Sequence, residues 1–165
     1  MSYLVNPYMV TAGINQYCQP NYDEDLPVGV WYGGGSRAGV QFLSGHVLVG
    51  QTATKASVHS KRVGSPTGTM YYRIYNTSGV LQFTFGSMDV STLTTSTATY
   101  QFDSGSSYTI QTDDILVLVF TGGDASNYVT STKNTTVESN AKFVDYPSEA
   151  FRYQDNRANS YCVTY

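Results

Sequence analysis

Charge is what this chain lacks most. Asp, Glu, Lys and Arg make up 13% of its 165 residues, about half of the usual share of roughly 25%. Positive charge is in no excess either. Nine Lys and Arg face twelve Asp and Glu, for a formal net charge of -3, so no basic face is implied and nucleic-acid binding through phosphate contacts is disfavoured. No apolar run approaches the roughly 20 residues that cross a bilayer, which speaks against membrane insertion. The start, Met1-Ser-Tyr-Leu-Val-Asn-Pro, has neither a basic region nor a continuous apolar stretch of the signal-peptide kind. The expectation is a chain made in a cytoplasm, leaving it, if at all, by a route other than standard secretion. Helical periodicity is missing too: no segment keeps a 3.6-residue apolar repeat over three turns.

What is present points to strands. The hydrophobic fraction is 41% and there are 15 tyrosines, enough apolar material for a core in one domain. Tyr and Thr suit a pleated, half-buried surface, and Tyr is also frequent at interfaces. From Arg37 onward short strand candidates follow one another: Val40–Leu43, His46–Val49, Thr52–Val63, Thr69–Tyr75, Val80–Phe85, Thr97–Phe102, Tyr108–Ile110, Ile115–Phe120, Tyr128–Val129, Phe143–Val144 and Tyr161–Tyr165. Met70, Tyr72 and Ile74 alternate with Thr69, Tyr71, Arg73 and Tyr75, the period of two that marks a half-buried strand. Asn76-Thr-Ser-Gly79 is a turn signal that joins this strand to the next in a hairpin. Short strands at regular spacing, with no fixed-period repeat, predict an all-β antiparallel sandwich or barrel. Val58, Tyr72, Ile74, Leu81, Phe83, Leu116, Leu118 and Phe120 are the expected core.

Residues 1–36 read differently. Asn6-Pro7, Pro20, Asp23-Glu-Asp25, Pro27 and Gly33-Gly-Gly35 break any periodicity and predict an extended N-terminal arm, with the sandwich spanning 37–165. Leu4, Val5, Tyr8, Met9, Val10 and Ile14 make the first part of that arm apolar, so it is expected to lie on its own domain or on a neighbouring subunit.

Reactive groups are scarce. His46 and His59 sit in strand patterns with no Cys or Glu close by in sequence, and no metal-site spacing is present. The Ser44 and Ser87 stretches are not in the strand–turn–helix setting of a nucleophile elbow. The glycine runs at Gly33 and Gly122 open no helix and form no phosphate cradle. Asp103, Asp113, Asp114 and Asp124 fall in turns, where Asp commonly bonds its own backbone; Ca²⁺ ligation is the alternative. Lys55, Lys61 and Arg62, and Arg152 with Arg157, read as solvated faces. Asn76 and Asn134 match the glycosylation triplet, which arises easily by chance in so Ser/Thr-rich a chain. Cys18 and Cys162 are expected to be free, partly buried thiols in a cytoplasmic product, the alternative being a disulfide that ties the two ends together. Neither a catalytic residue nor a cofactor is indicated.

Two stretches carry a resemblance. Lys61-Arg-Val-Gly-Ser-Pro-Thr-Gly-Thr-Met-Tyr-Tyr-Arg-Ile-Tyr-Asn-Thr-Ser-Gly-Val80 is followed by Phe85-Gly-Ser-Met-Asp-Val-Ser-Thr-Leu-Thr-Thr95. Tyr100-Gln-Phe-Asp103 leads on to Tyr108-Thr-Ile-Gln-Thr-Asp-Asp-Ile-Leu-Val-Leu-Val-Phe-Thr-Gly-Gly-Asp124. From about Ala56 to Val129 the chain resembles a jelly-roll domain of structural proteins of tailed phages and archaeal viruses, also found in archaeal surface proteins. The resemblance implies a β-sandwich serving as a decoration, fibre or adhesion module, and transfers no ligand-binding residue. Two functions compete. One is a virion structural subunit, located in a particle assembled in the host cytoplasm, whose partners are copies of itself or other virion proteins. The other is a carbohydrate-binding module or cell-surface filament subunit, with Trp31 and Tyr32 stacking on a host-surface glycan. An enzyme is a distant third.

Overall fold

The computed structural model describes residues 15–19, 24–29, 36–134, 138–145, 151–154 and 158–165. Apart from a 3-10 turn at Val90–Thr92, every regular element among them is a strand: β1 (Gln16–Gln19), β2 (Glu24–Val28), β3 (Arg37–Phe42), β4 (Thr52–Val63), β5 (Thr69–Tyr75), β6 (Leu81–Asp89), β7 (Ala98–Thr109), β8 (Ile115–Phe120), β9 (Tyr128–Asn134), β10 (Ala141–Asp145), β11 (Arg152–Gln154), β12 (Ala158–Asn159) and β13 (Tyr161–Thr164). They form two antiparallel sheets packed as a sandwich. β4 is the spine of the first sheet. β7 pairs along one of its edges, while β13 and β9 share the other, over Lys55–Val58 and Ser60–Val63. β1 flanks β13, and β2 flanks β9. The second sheet runs β11-β10-β3-β8-β5-β6. From β2 to β9 every connection crosses between the sheets except the β5–β6 hairpin, where Asn76 Oδ1 accepts the backbone N–H groups of Ser78 and Val80.

The alternating side chains of the two sheets meet in one core. Val58, Phe102, Val129, Tyr161 and Val163 face Val40, Met70, Tyr72, Ile74, Leu116, Leu118 and Phe120. β8 is buried on both faces, as its unbroken apolar run predicts. Its outward side chains Ile115, Val117 and Val119 lie with Val144 under a layer of Tyr71, Tyr75 and Phe151. Arg37 and Arg73 stack over this layer, their guanidinium carbons 4.3 Å from the Tyr75 centroid and 3.8 Å from the Tyr71 centroid. At Gly39, between β10 and β8, a Cβ would fall 1.9 Å from the Leu116 carbonyl oxygen, so the backbone admits no side chain there. Leu118 is fully buried, so Leu118→Ala is expected to lower unfolding stability by about 3 kcal/mol in a denaturant titration.

Several expectations are corrected. Leu81 is 45% exposed. The ladder between β5 and β6 skips Gln82, so Leu81 pairs with Tyr75 on the outer face while Phe83 pairs with Ile74 inside, half-buried against the core. Residues 46–49 are not a strand but consecutive turns, with the N–H of Val49 bonded to the His46 carbonyl and that of Gln51 to the Leu48 carbonyl. Residues 97–102 and 108–110, read as separate strands, belong largely to one long β7, whose register with β4 shifts around Thr54. The shift also lets Ala53 and Ala56, three apart, both face inward.

The sandwich begins before residue 37. Within the stretch read as an arm, 16–19 and 24–28 are strands of the first sheet. Breakers misled here because edge strands tolerate them: Pro27 sits in β2, which among the described residues pairs on one side only. Leu4, Val5, Tyr8, Met9, Val10 and Ile14 lie outside the described residues. Cys18 and Cys162, expected as free thiols, are joined in a disulfide between directly opposed residues of β1 and β13, with Cα atoms 4.1 Å apart. Strand pairing brings the two cysteines together although 144 positions separate them.

Candidate functional site

The densest polar constellation is buried between the sheets at the end where β1 and β13 meet the β3–β4 and β9–β10 connections. Glu138 enters from the β9–β10 connection, and its Oε1 accepts three hydrogen bonds. They come from Tyr17 Oη on β1 at 2.8 Å, Tyr161 Oη on β13 at 2.6 Å and His46 Nε2 at 3.0 Å. The His46 Nδ1 accepts the backbone N–H of Leu48 at 3.2 Å. This fixes the tautomer: the proton sits on Nε2 and points at the carboxylate. His46 packs against Phe42 at 4.9 Å and edge-on against Tyr17 at 5.3 Å. All four polar side chains are buried, and the second carboxyl oxygen, Oε2, has no hydrogen-bond partner among the described residues.

This cluster joins four separate parts of the chain, and sequence reading missed it. His46 and Glu138 lie 92 positions apart, and Glu138 stood in no motif. The signal that could have found it is its chemistry: a carboxylate just before the β10 strand must be exposed or satisfied by donors from elsewhere. Chemically the arrangement pins four segments to one charge. Tyr17 and Tyr161 reach the carboxylate from neighbouring strands, so the hydrogen bonds fix the angle at which β1 lies on β13.

The tyrosines respond to burial. Tyr161 is held well above the ordinary tyrosine range, first by desolvation and then by the charge of Glu138, and Tyr72 is raised for the same two reasons. Tyr108 is pushed up to about 12 by burial and then by Asp114. A raised folded-state pKa means that the native state favours the protonated phenol. The resulting stability is intact below the unfolded value of about 10 and is lost as pH climbs through the folded values. An alkaline titration followed by tyrosinate absorbance should therefore show fewer than 15 phenolates while the protein is folded, the remainder appearing together with loss of the β circular-dichroism signal. Smooth ionisation of every tyrosine near pH 10, with the fold intact, would contradict the burial of this cluster.

A second pair lies on the outer face of the first sheet. His59 Nδ1 and Ser160 Oγ are 2.7 Å apart, and burial lowers the His59 pKa. The distance suits a base and its nucleophile. Ser160 is fully buried, however, so no carbonyl carbon can approach its oxygen, and the pair serves as a fastening between β4 and the end of the chain.

The turn aspartates bond their surroundings. Asp103 accepts the N–H of Gly105, Asp124 those of Ser126 and Asn127, Asp114 that of Gln111, and Asp113 the side-chain amide of Gln41. No group of three or more His, Cys, Asp or Glu side chains among the described residues could hold a metal ion. The basic residues are spread rather than pooled. Lys55 pairs with Asp103 at 3.0 Å, Lys61 with Asp25 and Arg152 with Asp145, while Arg62 donates to the Leu93 carbonyl. Trp31 and Tyr32 lie outside the described residues. No family model matches the chain, and neither a curated protein nor a solved structure matches it.

Proposed function

We propose that the chain is a non-enzymatic structural subunit of a virion, a capsid decoration or a tail or fibre component, built on a jelly roll. The observation that carries this reading is the strand order. β2-β9-β4-β7 in one sheet faces β3-β8-β5-β6 in the other, the order expected of an eight-stranded double-sheet jelly roll, an architecture that recurs in viral capsid and lectin domains. β10 and β11 then extend the second sheet beyond β3, while β12 and β13 fill the fork between β9 and β4, with β1 lying on β13. The reading draws further support from where the reactive groups lie: Glu138, His46 and Ser160 are all inside the body, where they fasten segments rather than meet a substrate. The disulfide favours a working place outside a reducing cytoplasm, such as a particle surface. Low surface charge reduces repulsion between closely packed copies.

Carbohydrate binding through stacked rings has less support. Tyr71 lies under the guanidinium of Arg73 and Tyr75 under that of Arg37, and among the described tyrosines Tyr153 alone is exposed. Sedimentation velocity of the full chain, with electron microscopy of the same sample, tests the structural reading. Concentration-dependent assembly into uniform particles, rings or filaments is expected; a compact monomer at every concentration would overturn it.

A further inference from the structure

The seat of β1 on β13 is built like a socket for a detachable strand. β1 has four residues, all paired to β13 and to no other described strand. Because side chains alternate, Tyr17 points inward and Cys18 outward. Tyr17 is a peg: its ring packs edge-on to His46 and 6.1 Å from Tyr161, and its hydroxyl supplies one of the three hydrogen bonds to Glu138. Cys18 is a latch onto Cys162. Beyond the pairing, one more backbone bond is formed among the described residues, from the Tyr165 N–H to the Asn15 carbonyl. Without β1 the sandwich core of β2–β9 keeps all its pairings, but β13 becomes a bare edge beside a buried carboxylate that has lost a donor. Such an edge accepts a strand of matching register.

We propose that this socket is an intermolecular site, filled in the assembly by the 15–19 segment of a second copy of the chain, and that the Cys18–Cys162 bond then joins neighbouring subunits. The inference deepens the structural-subunit reading and rests on it. A second copy is the occupant of choice because its segment carries the peg, the latch and the register together. Exchange needs only residues 20–23 to bridge from β2, which stays on its own β9, to the neighbour's β13. The five peptide steps from residue 19 to 24 span at most about 18 Å, so the neighbour must pack beside the same sheet edge. The chemistry is ordinary thiol–disulfide exchange. The Cys18 and Cys162 thiols lose two protons and two electrons to a disulfide oxidant such as oxidised glutathione, which leaves as two thiols.

Two single variants test this. Cys18→Ser keeps only Cys162, and Cys162→Ser keeps only Cys18. Each is purified reduced, the two are mixed at high concentration, and oxidised glutathione is added. The expected product is a covalent one-to-one heterodimer whose peptide map shows Cys18 of one chain bonded to Cys162 of the other, in at least tenfold excess over either homodimer. Absence of covalent dimer, or a statistical mixture of homo- and heterodimers, overturns the exchange. If the wild-type chain still sediments as a non-covalent assembly in that case, exchange alone has failed and the structural-subunit reading stands.

Discussion

Replacing Glu138 by alanine is expected to cost about 4 kcal/mol of unfolding stability. Three buried donors, Tyr17 Oη, Tyr161 Oη and His46 Nε2, would lose their shared acceptor oxygen, and each buried donor left without an acceptor costs about 1–3 kcal/mol. Relaxation and entering water offset part of that sum. For a chain of this size the loss corresponds to a drop in melting temperature of roughly 10 °C. Two comparisons make the result specific. Glu138→Gln keeps a carbonyl oxygen that can accept the same bonds, so its effect should be smaller. Tyr17→Phe removes a single donor and leaves the carboxylate with two, a loss of about 1 kcal/mol. If all three variants melt together with the wild type, the cluster is not what holds β1 and β13 at that end.

Loss of the disulfide has an effect of similar size by another route. In the isolated chain, where the bond is intramolecular, replacing Cys18 and Cys162 together by serine opens a loop that encloses most of the chain, its ends 144 positions apart. Loop-closure entropy alone gives about 5 kcal/mol for a loop of this length, and measured values usually fall somewhat lower, so about 4 kcal/mol is expected. The effect should appear in the denaturant midpoint with an increased slope, because the unfolded chain becomes less compact. Dithiothreitol should reproduce it in the wild type and do nothing to the double variant. A reductant that shifts both proteins equally would show that the shift has another cause.

These two fastenings also mark the boundary of what the sequence discloses. Ile115–Phe120 can be read directly, since six apolar residues in a row between turn signals have no place except the centre of a sheet. Thr69–Tyr75 and the Asn76–Gly79 turn are equally plain, because alternation and turn chemistry are local properties. Leu81 could not be placed: the residue skipped at Gln82 turns it outward, and nothing in Val-Leu-Gln-Phe announces a bulge. β1 and β2 were hidden because short edge strands need little alternation and tolerate Pro. The disulfide and the Glu138 cluster were hidden for a stronger reason. Both depend on which strands become neighbours, and sheet order is a property of the whole chain. The scarcity of histidine drew attention away from His46 and concealed its carboxylate partner. The residues expected to drive assembly, Leu4 to Ile14, immediately precede β1 in the chain.

That junction sets the decisive measurement. Deleting residues 1–14 removes the apolar segment and leaves β1, the peg, the latch and every described strand in place. The truncated chain and the full chain would be compared by sedimentation velocity and by thermal unfolding under identical conditions. The account predicts that the truncated chain keeps the cooperative transition of the full chain within about 1 kcal/mol but no longer forms its large assemblies, falling back to the covalent dimer or small ring that β1 exchange alone sustains. Assemblies of unchanged size from the truncated chain, or a full chain that is itself a monomer, would contradict it.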